Sequence, residues 1–443
     1  MTHVLEEMGR FGSNLEAPPE AHAAACEAVL DLLTAYLAAP VPPFTTALRS
    51  IFGDGPATVW FTGQRASTAA AAFHNAFAAA RLDLDDGHRL ARGHPGAAVI
   101  PPVLAEADRL DAEGRPAGDE SILRAIIVGY EVGLRIAAAR GFYARTGFWA
   151  GFAAAAGVAA LKRLPPKAFA HALAIGGETA PHMATTTSPP AWPHPAASDV
   201  KEGIPWGVLS GLTAAGLAEA GMTGVLDLVD HGPFFNQAAI LAARPQPAIA
   251  ETYTKFYAAC RHCHAPVDAL LGVMQSRQLR WEEIESVTVE AYSGALRIAN
   301  SPAPRHLADA QYSIPYCLGL AAIHGPSALL RMTEKSLGDP AVEDFARKVR
   351  LTIDPECEAQ FPRRTLARVR ILARGDVHTS PVVEPRGEAG DRPGWEQRLS
   401  KFRDATWEQL PGSARQSFEE AFAALREGRL AGLRTLMGRS FPS

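Results

Sequence analysis

From residue 20 to about 240 the chain repeats one pattern. Apolar residues recur at i, i+3 and i+4, or run all round the helix. The segments AHAAACEAVLDLLTAYLAA, RASTAAAAFHNAFAAARL, SILRAIIVGYEVGLRIAAA, FWAGFAAAAGVAALKRL and GVLSGLTAAGLAEAGM each predict a helix. Helices apolar on every side belong in a core, and their many Ala and Gly residues let helix axes approach closely, which predicts a dense all-α body. Pro-rich stretches at 40–43, 101–102, 165–166 and 189–195 predict breaks. One of them, TTTSPPAWPHPAAS (185–198), is too polar and too Pro-rich for helix, and its Trp192 is a candidate for shaping a pocket.

Near residue 250 the pattern changes to alternation with β-branched residues. IESVTVEAY (284–292), KVRLTID (348–354) and TLARVRILARGDVHTSPVV (365–383) read as strands, the last as a hairpin turning at its RGD. With helices near 265–277, 311–324 and 340–347 they predict a smaller α+β domain. The tail, with EEAFAALREGRLAGLRTLM, returns to helix and docks back on the first body. The predicted fold is mainly α: a large all-helical domain from 1–258 and 390–443, and an α+β domain from 259–389.

Composition narrows the function classes. A formal charge of -4 gives no reason to expect nucleic acid, which needs a basic face. No run approaches the roughly 20 uninterrupted apolar residues of a membrane span. The first residues, MTHVLEEMGRFGSNLEAPPE, carry acidic groups where a secretory signal has basic and apolar regions, so the expected location is the cytoplasm. Cys26, Cys260, Cys263, Cys317 and Cys357 are few, odd in number and scattered, which fits a reducing compartment better than a disulfide framework.

Candidate chemistry concentrates in RLDLDDGHRLARGHPGAAVIPP (81–102). Asp83, Asp85, Asp86, His88 and His94 lie in a loop between two helices that read as buried. Titratable groups in a crease between apolar walls have their pKa values pushed apart, as acid–base chemistry requires. The plainer alternative is an exposed loop whose Asp caps the next helix. Lys201, before a Gly/Pro turn, reads either as a solvated lysine or as a carboxylate-binding cation beside an apolar wall. CRHCH (260–264) matches the haem-attachment pattern and half of a zinc pattern. The missing export signal and the missing second ligand pair argue against both, leaving a loop in which Lys255 and one of Cys260, His262 and His264 face a pocket. GFYARTGFWAG (141–151) reads as a helix start capped by Thr146. No phosphate-cradling glycine loop and no serine-nucleophile motif is present, so no nucleotide cofactor is expected.

In chain order the sequence shows LDLDDGH, HPGAAVIP, AIIVGYEVGLRI, GFYARTG, DVKEG, AGMTG, KFYAAC…H…D, AQYSIPY and LSKF. This set resembles the MmgE/PrpD family, which contains 2-methylcitrate dehydratase, cis-aconitate decarboxylase and iminodisuccinate epimerase. The likeness covers nearly the whole chain. It implies a helical domain with an α+β lid, a cleft between them, a homodimer, and no cofactor or metal. Carried over residue by residue, Asp83 matches the first Asp of D-x-D-D, His94 the His of H-P-[SG], Lys201 the motif lysine, Lys255 the lysine of K-x-Y-P, and His264 the His before A-x-x-D. Two departures stand out: Tyr143 occupies the histidine position of G-[FWL]-H-x-T-G, and KFYAAC lacks the proline of K-x-Y-P-x-C.

What the resemblance implies is a lyase acting on a small polycarboxylic acid, with dehydration foremost and epimerisation or decarboxylation as alternatives. His94 would take a proton α to a carboxylate, Asp83 would orient it, and Tyr143 or a histidine of the 260–264 loop would act on the opposite side. Lys201 and Lys255 would hold carboxylates, with His88, Cys260 and His264 lining the substrate site. A family member with a changed, biosynthetic substrate is the second reading, motivated by Tyr143. A non-catalytic binding protein is the third, and the joint presence of Asp83, His94, Lys201 and Lys255 argues against it.

Overall fold

The computed structural model describes residues 2–182 and 200–441. The loop 185–198 with Trp192 therefore lies outside the described residues. Two hydrophobic cores organise the rest. The first collects residues from Val4 to Ile249 and again from Trp395 to Met437. The second runs from Tyr257 to Ala373 and also takes in Ala35, Ala38, Leu82, Leu84 and Ala405. Those five residues stitch the cores together, and two of them flank Asp83.

The helical body forms where periodicity predicts it: Pro19–Ala38, Thr68–Ala80, Pro95–Ala112, Asp119–Ala139, Thr146–Leu161, Pro166–Thr179 and Ile204–Glu219 are all helices. Pro101 and Pro102 do not break their helix, which runs straight through them. Every residue from Pro95 to Ala107 on that helix is buried, so packing offsets the lost hydrogen bonds. The helix Pro19–Ala38 is long and apolar enough to cross a membrane by length and composition, yet 78% of its apolar window is buried among other helices. Its one acidic residue inside that core, Asp31, accepts a hydrogen bond from Lys401 at 2.7 Å. Lys401, from LSKF on the helix Trp395–Thr406, also donates to the Leu84 carbonyl at 3.0 Å, so the returning tail braces the Asp-rich loop from behind.

The body also carries a hairpin too short to read from alternation, β1 (Ala57–Val59) with β2 (Gln64–Ala66). In the second domain β3 (Ile284–Ala291), β4 (Val349–Ile353), β5 (Arg368–Ala373) and β6 (Asp376–Thr379) form one sheet in the order β4-β3-β5-β6. β3 and β4 are parallel, with Val289 opposite Leu351, and the other pairs are antiparallel. The RGD does make the β5–β6 turn: Arg374 and Gly375 both have positive φ, +54° and +77°, the combination a tight hairpin turn needs. The helix Arg261–Ser276 packs in the same core and begins at the CRHCH segment. The fold is thus mainly α with a smaller α+β domain, as the pattern predicts.

Candidate active site

The loop after helix Thr68–Ala80 is held at the seam between the cores. Leu82 and Leu84 are wholly buried in the second core, and Asp83 between them has φ +56°, a left-handed conformation that Asp tolerates better than most residues. Lys255, from the other side of the seam, donates to the Asp83 carbonyl at 2.9 Å and to its carboxylate Oδ1 at 2.8 Å. Lys255 is 1% exposed and Asp83 is 2% exposed, so neither charge has water to fall back on. Burial alone would raise the Asp83 carboxyl, but Lys255, His94 and Lys201 outweigh it and hold the group well below the usual carboxylate range. Lys255 is correspondingly raised, because Asp83 outweighs its own burial.

His94 sits between two of the loop's aspartates. Its Nε2 lies 3.1 Å from Asp83 Oδ1 and its Nδ1 lies 3.2 Å from Asp85 Oδ1. The Asp85 contact has ion-pair distance without hydrogen-bond alignment, and neither Asp85 oxygen accepts a hydrogen bond among the described residues. Burial would make the imidazole lose its proton, but Asp85 in front of it and the Asp83 contact prevail, and its pKa is raised to about 10. His94 is therefore an imidazolium at neutral pH. Asp86 does something different: its Oδ1 accepts from Gly96 N–H at 2.8 Å and its Oδ2 from the Tyr130 hydroxyl at 2.8 Å. The loop is buried, not exposed, with Asp83 and Asp85 facing a histidine, and of the plainer reading only the cap survives, supplied by Asp86 at the start of the next helix.

The Lys201 turn is fastened to His94 through Thr146. Lys201, Glu202 and Gly203 all have positive φ, +45°, +56° and +72°. Two consecutive non-glycine residues in that region are strained, and the strain persists only where surroundings enforce it. The enforcement is visible. Glu202 Oε2 accepts from the Thr146 hydroxyl at 2.7 Å and its backbone N–H at 3.3 Å, and Glu202 Oε1 accepts from the Tyr312 hydroxyl at 3.2 Å. The Thr146 hydroxyl in turn accepts from His94 N–H at 3.3 Å. Thr146 is therefore a link to Glu202, rather than the helix cap its position suggests; Arg145 takes the cap position. Gly147 is required here, since a Cβ would stand 2.6 Å from the Gly203 carbonyl carbon. Lys201 itself is buried, and its ammonium donates to Gln311 Oε1 at 3.3 Å. Gln311 also donates to the Arg81 carbonyl at 3.1 Å and accepts from Cys260 N–H at 2.8 Å through its own carbonyl, so it joins Lys201, the Asp-rich loop and the CRHCH segment.

Of the residues singled out from the sequence, the fold brings Asp83, His94, Lys255 and Lys201 into one charged group, with Cys260 beside it. The Cys260 thiol is pushed up to about 12 by burial and by Asp83, so it is not a thiolate. Tyr143 stands at the edge, 39% exposed, with burial and Glu202 both raising its hydroxyl above the ordinary value. His88 and His264 do not join. His88 Nδ1 accepts from Ala91 N–H at 3.1 Å and its Nε2 lies 3.5 Å from Glu251, so its ring braces the 88–93 turn. His264 is wholly buried with Nε2 on the Ala259 carbonyl at 3.1 Å and Nδ1 against Arg261 at 3.2 Å, leaving no atom for a substrate. The motifs alone do not single out Glu202, Tyr312 and Gln311, although these lie in DVKEG and AQYSIPY. Their signal was adjacency to a motif, and only the contact partners supply the rest.

Asp83, Asp85 and His94 are also the one group among the described residues with metal-ligand spacing, their donor atoms lying within 4.8 Å of one another. Lys255 and the His94 ring already compete for the Asp83 oxygen a cation would use. The donor set fits an ammonium and an imidazolium better than a divalent ion.

A mainly helical body and an α+β domain meet over a buried carboxylate–imidazolium–lysine cluster. Residues 13–246 match the MmgE/PrpD N-terminal domain and residues 257–427 the MmgE/PrpD C-terminal domain, and the chain belongs to the MmgE/PrpD family. Among curated proteins it is similar to two cis-aconitate decarboxylase sequences from Aspergillus terreus. Each is 28% identical, across 90% of this chain and 88% of the relative.

Proposed function

We propose that the chain is a lyase working on a small polycarboxylic acid by proton transfer at a carbon next to a carboxylate, with no cofactor. The observation that carries this reading is His94, held as an imidazolium between Asp83 at 3.1 Å and Asp85 at 3.2 Å. A histidine in that state is a proton donor first. Decarboxylation of an unsaturated acid uses such a donor: the C–CO₂ bond breaks, its electron pair moves into the adjacent π system, and the carbon that receives the density takes the His94 proton. CO₂ leaves and solvent returns one proton to the imidazole. Lys201 would anchor a carboxylate as a point charge, while Lys255 is committed to Asp83 and keeps it ionised. The similarity to cis-aconitate decarboxylases supports the same direction.

Dehydration or epimerisation is the second reading, favoured by one feature. An imidazolium held between Asp83 and Asp85 can equally give its proton to a leaving hydroxyl, the step that dehydration needs. The two readings separate in heavy water. Wild type and His94→Gln would be offered cis-aconitate, 2-methylcitrate and iminodisuccinate, following CO₂ release and deuterium incorporation by NMR. Deuterium in a decarboxylated product supports the first reading, with His94→Gln slower by ~10²–10⁴-fold, the usual worth of a positioned acid. Exchange or water loss without CO₂ supports the second. A folded wild type silent on every acid, or a His94→Gln variant as fast as wild type, overturns both.

A further inference from the structure

The family histidine replaced by Tyr143 leaves the cleft with one charged imidazole, His94, on the helical side. A second imidazole stands on the other side. His262 is the second residue of the helix Arg261–Ser276 and is partly buried, two positions after Cys260. Its Nδ1 lies 2.6 Å from the Tyr292 hydroxyl. Tyr292 is itself 2% exposed and stacked on Phe361 with ring centroids 4.5 Å apart. The Tyr292 phenol is raised well above its ordinary value by burial, so it keeps its proton. A buried O–H must find an acceptor; the Thr365 hydroxyl, buried and without another partner among the described residues, lies against the phenol oxygen as a donor, which leaves the Tyr292 hydrogen for His262. The Tyr292 proton therefore points at Nδ1, and a neutral imidazole that accepts at Nδ1 carries its own proton on Nε2. Nε2 has no hydrogen-bond partner among the described residues and is not sealed from solvent.

We propose that His262 is a substrate-contacting group of this site, a neutral imidazole whose Nε2–H donates a hydrogen bond to a carboxylate or leaving oxygen of the acid bound beside Lys201. The inference rests on the lyase reading of the cleft. The surroundings keep this ring neutral: burial first, then Arg89 from the Asp-rich loop and Arg297 from the α+β domain, lower its pKa to about 4, with Asp83 and Lys255 the next charges in reach. A neutral donor suits the chemistry. It stabilises negative charge as that charge develops on oxygen, without competing with His94 for the role of acid and without neutralising Asp83. His264, two residues further on, is excluded because both of its nitrogens are already bonded.

The test combines turnover with ¹⁵N-histidine NMR on wild type, His262→Ala, His262→Gln and Tyr292→Phe. Wild-type His262 is expected to show a proton on Nε2 and none on Nδ1 from pH 5 to 8, with the Nε2 signal moving when tricarballylate, a saturated tricarboxylate, is added. His262→Ala is expected to lose ~10²–10³-fold in kcat, the range for one lost charge-stabilising donor, in a protein that is still folded at the assay temperature although its Tm falls because the Tyr292 hydroxyl loses its acceptor. His262→Gln, which keeps an N–H donor, should recover a measurable part of that loss, and Tyr292→Phe should release the tautomer and lower kcat less. His262→Ala with kcat near that of an active wild type overturns the inference and leaves the lyase reading standing. A wild type inactive on every acid removes the lyase reading, and the tricarballylate response then decides His262 alone: a moving Nε2 signal supports it and a static one overturns it.

Discussion

Residues 83–94 and 255–264 face each other across the seam of the two domains, and they treat the same side chain in opposite ways. In the first, His94 lies against two carboxylates and its pKa is raised to about 10. In the second, His262 lies in reach of Arg89 and Arg297 and its pKa is lowered to about 4, while His264, beside Arg261, is lowered well below its usual value. Burial pushes all three toward neutrality, so burial does not decide the outcome. Neighbouring charge does. One wall of the site is an acid and the other a set of neutral imidazoles. A cleft with that asymmetry can deliver a proton from one side and hold an oxygen from the other.

The contrast breaks most severely at Lys255. Lys255→Met takes away the ammonium bonded to the Asp83 carboxylate and leaves it buried with His94 as its remaining contact, which is expected to cost about 3–5 kcal/mol in urea unfolding at neutral pH. The sign on the acid side follows: Asp83 is held below its usual range by burial-opposing Lys255, so its stabilising contribution is present above that range and is lost as pH falls through the folded value. In the variant the acid-unfolding midpoint should move to higher pH. A variant as stable as wild type would mean the pair is not what joins the walls.

Asp85→Asn sharpens the comparison by changing one wall alone. The His94 pKa lies above its ordinary 6.5, so the stability it contributes is complete below that value and lost as pH rises through about 10. Removing Asp85 should bring the alkaline limb of the pH–rate profile down by roughly 1–3 pH units, the effect of one adjacent opposite charge. An unmoved limb would show that Asp83 alone charges the ring. The smallest effect is expected at Tyr143→Phe. With 39% of the residue exposed and its phenol protonated, the hydroxyl should matter by less than about tenfold in kcat/KM, the worth of one ordinary hydrogen bond. A larger loss would return Tyr143 to the role of the histidine it replaces.

Much of the fold is legible in the sequence. The i, i+3, i+4 runs of Ala, Leu and Val placed the helical body, and alternation around Val287, Val289 and Ile371 placed the sheet and its RGD turn. Periodicity is local, so local sequence suffices for it. The Pro101–Pro102 break was misleading because packing around a fully buried helix overrode a local rule.

For the site, the sequence by itself determined which groups were available: the carboxylates and histidines of LDLDDGH and HPG, the lysines of DVKEG and KFYAAC, and the Tyr143 that stands where the family resemblance implies a histidine. Only the tertiary structure decided their states. It set Lys255 on Asp83 across 172 positions of chain, tied Glu202 to Thr146 and Tyr312, and gave His88 and His264 structural bonds that remove them from the substrate's reach. The reason is physical. A side chain's charge depends on distances of 3 to 4 Å to groups that are remote in sequence, and those distances exist only once both cores have packed.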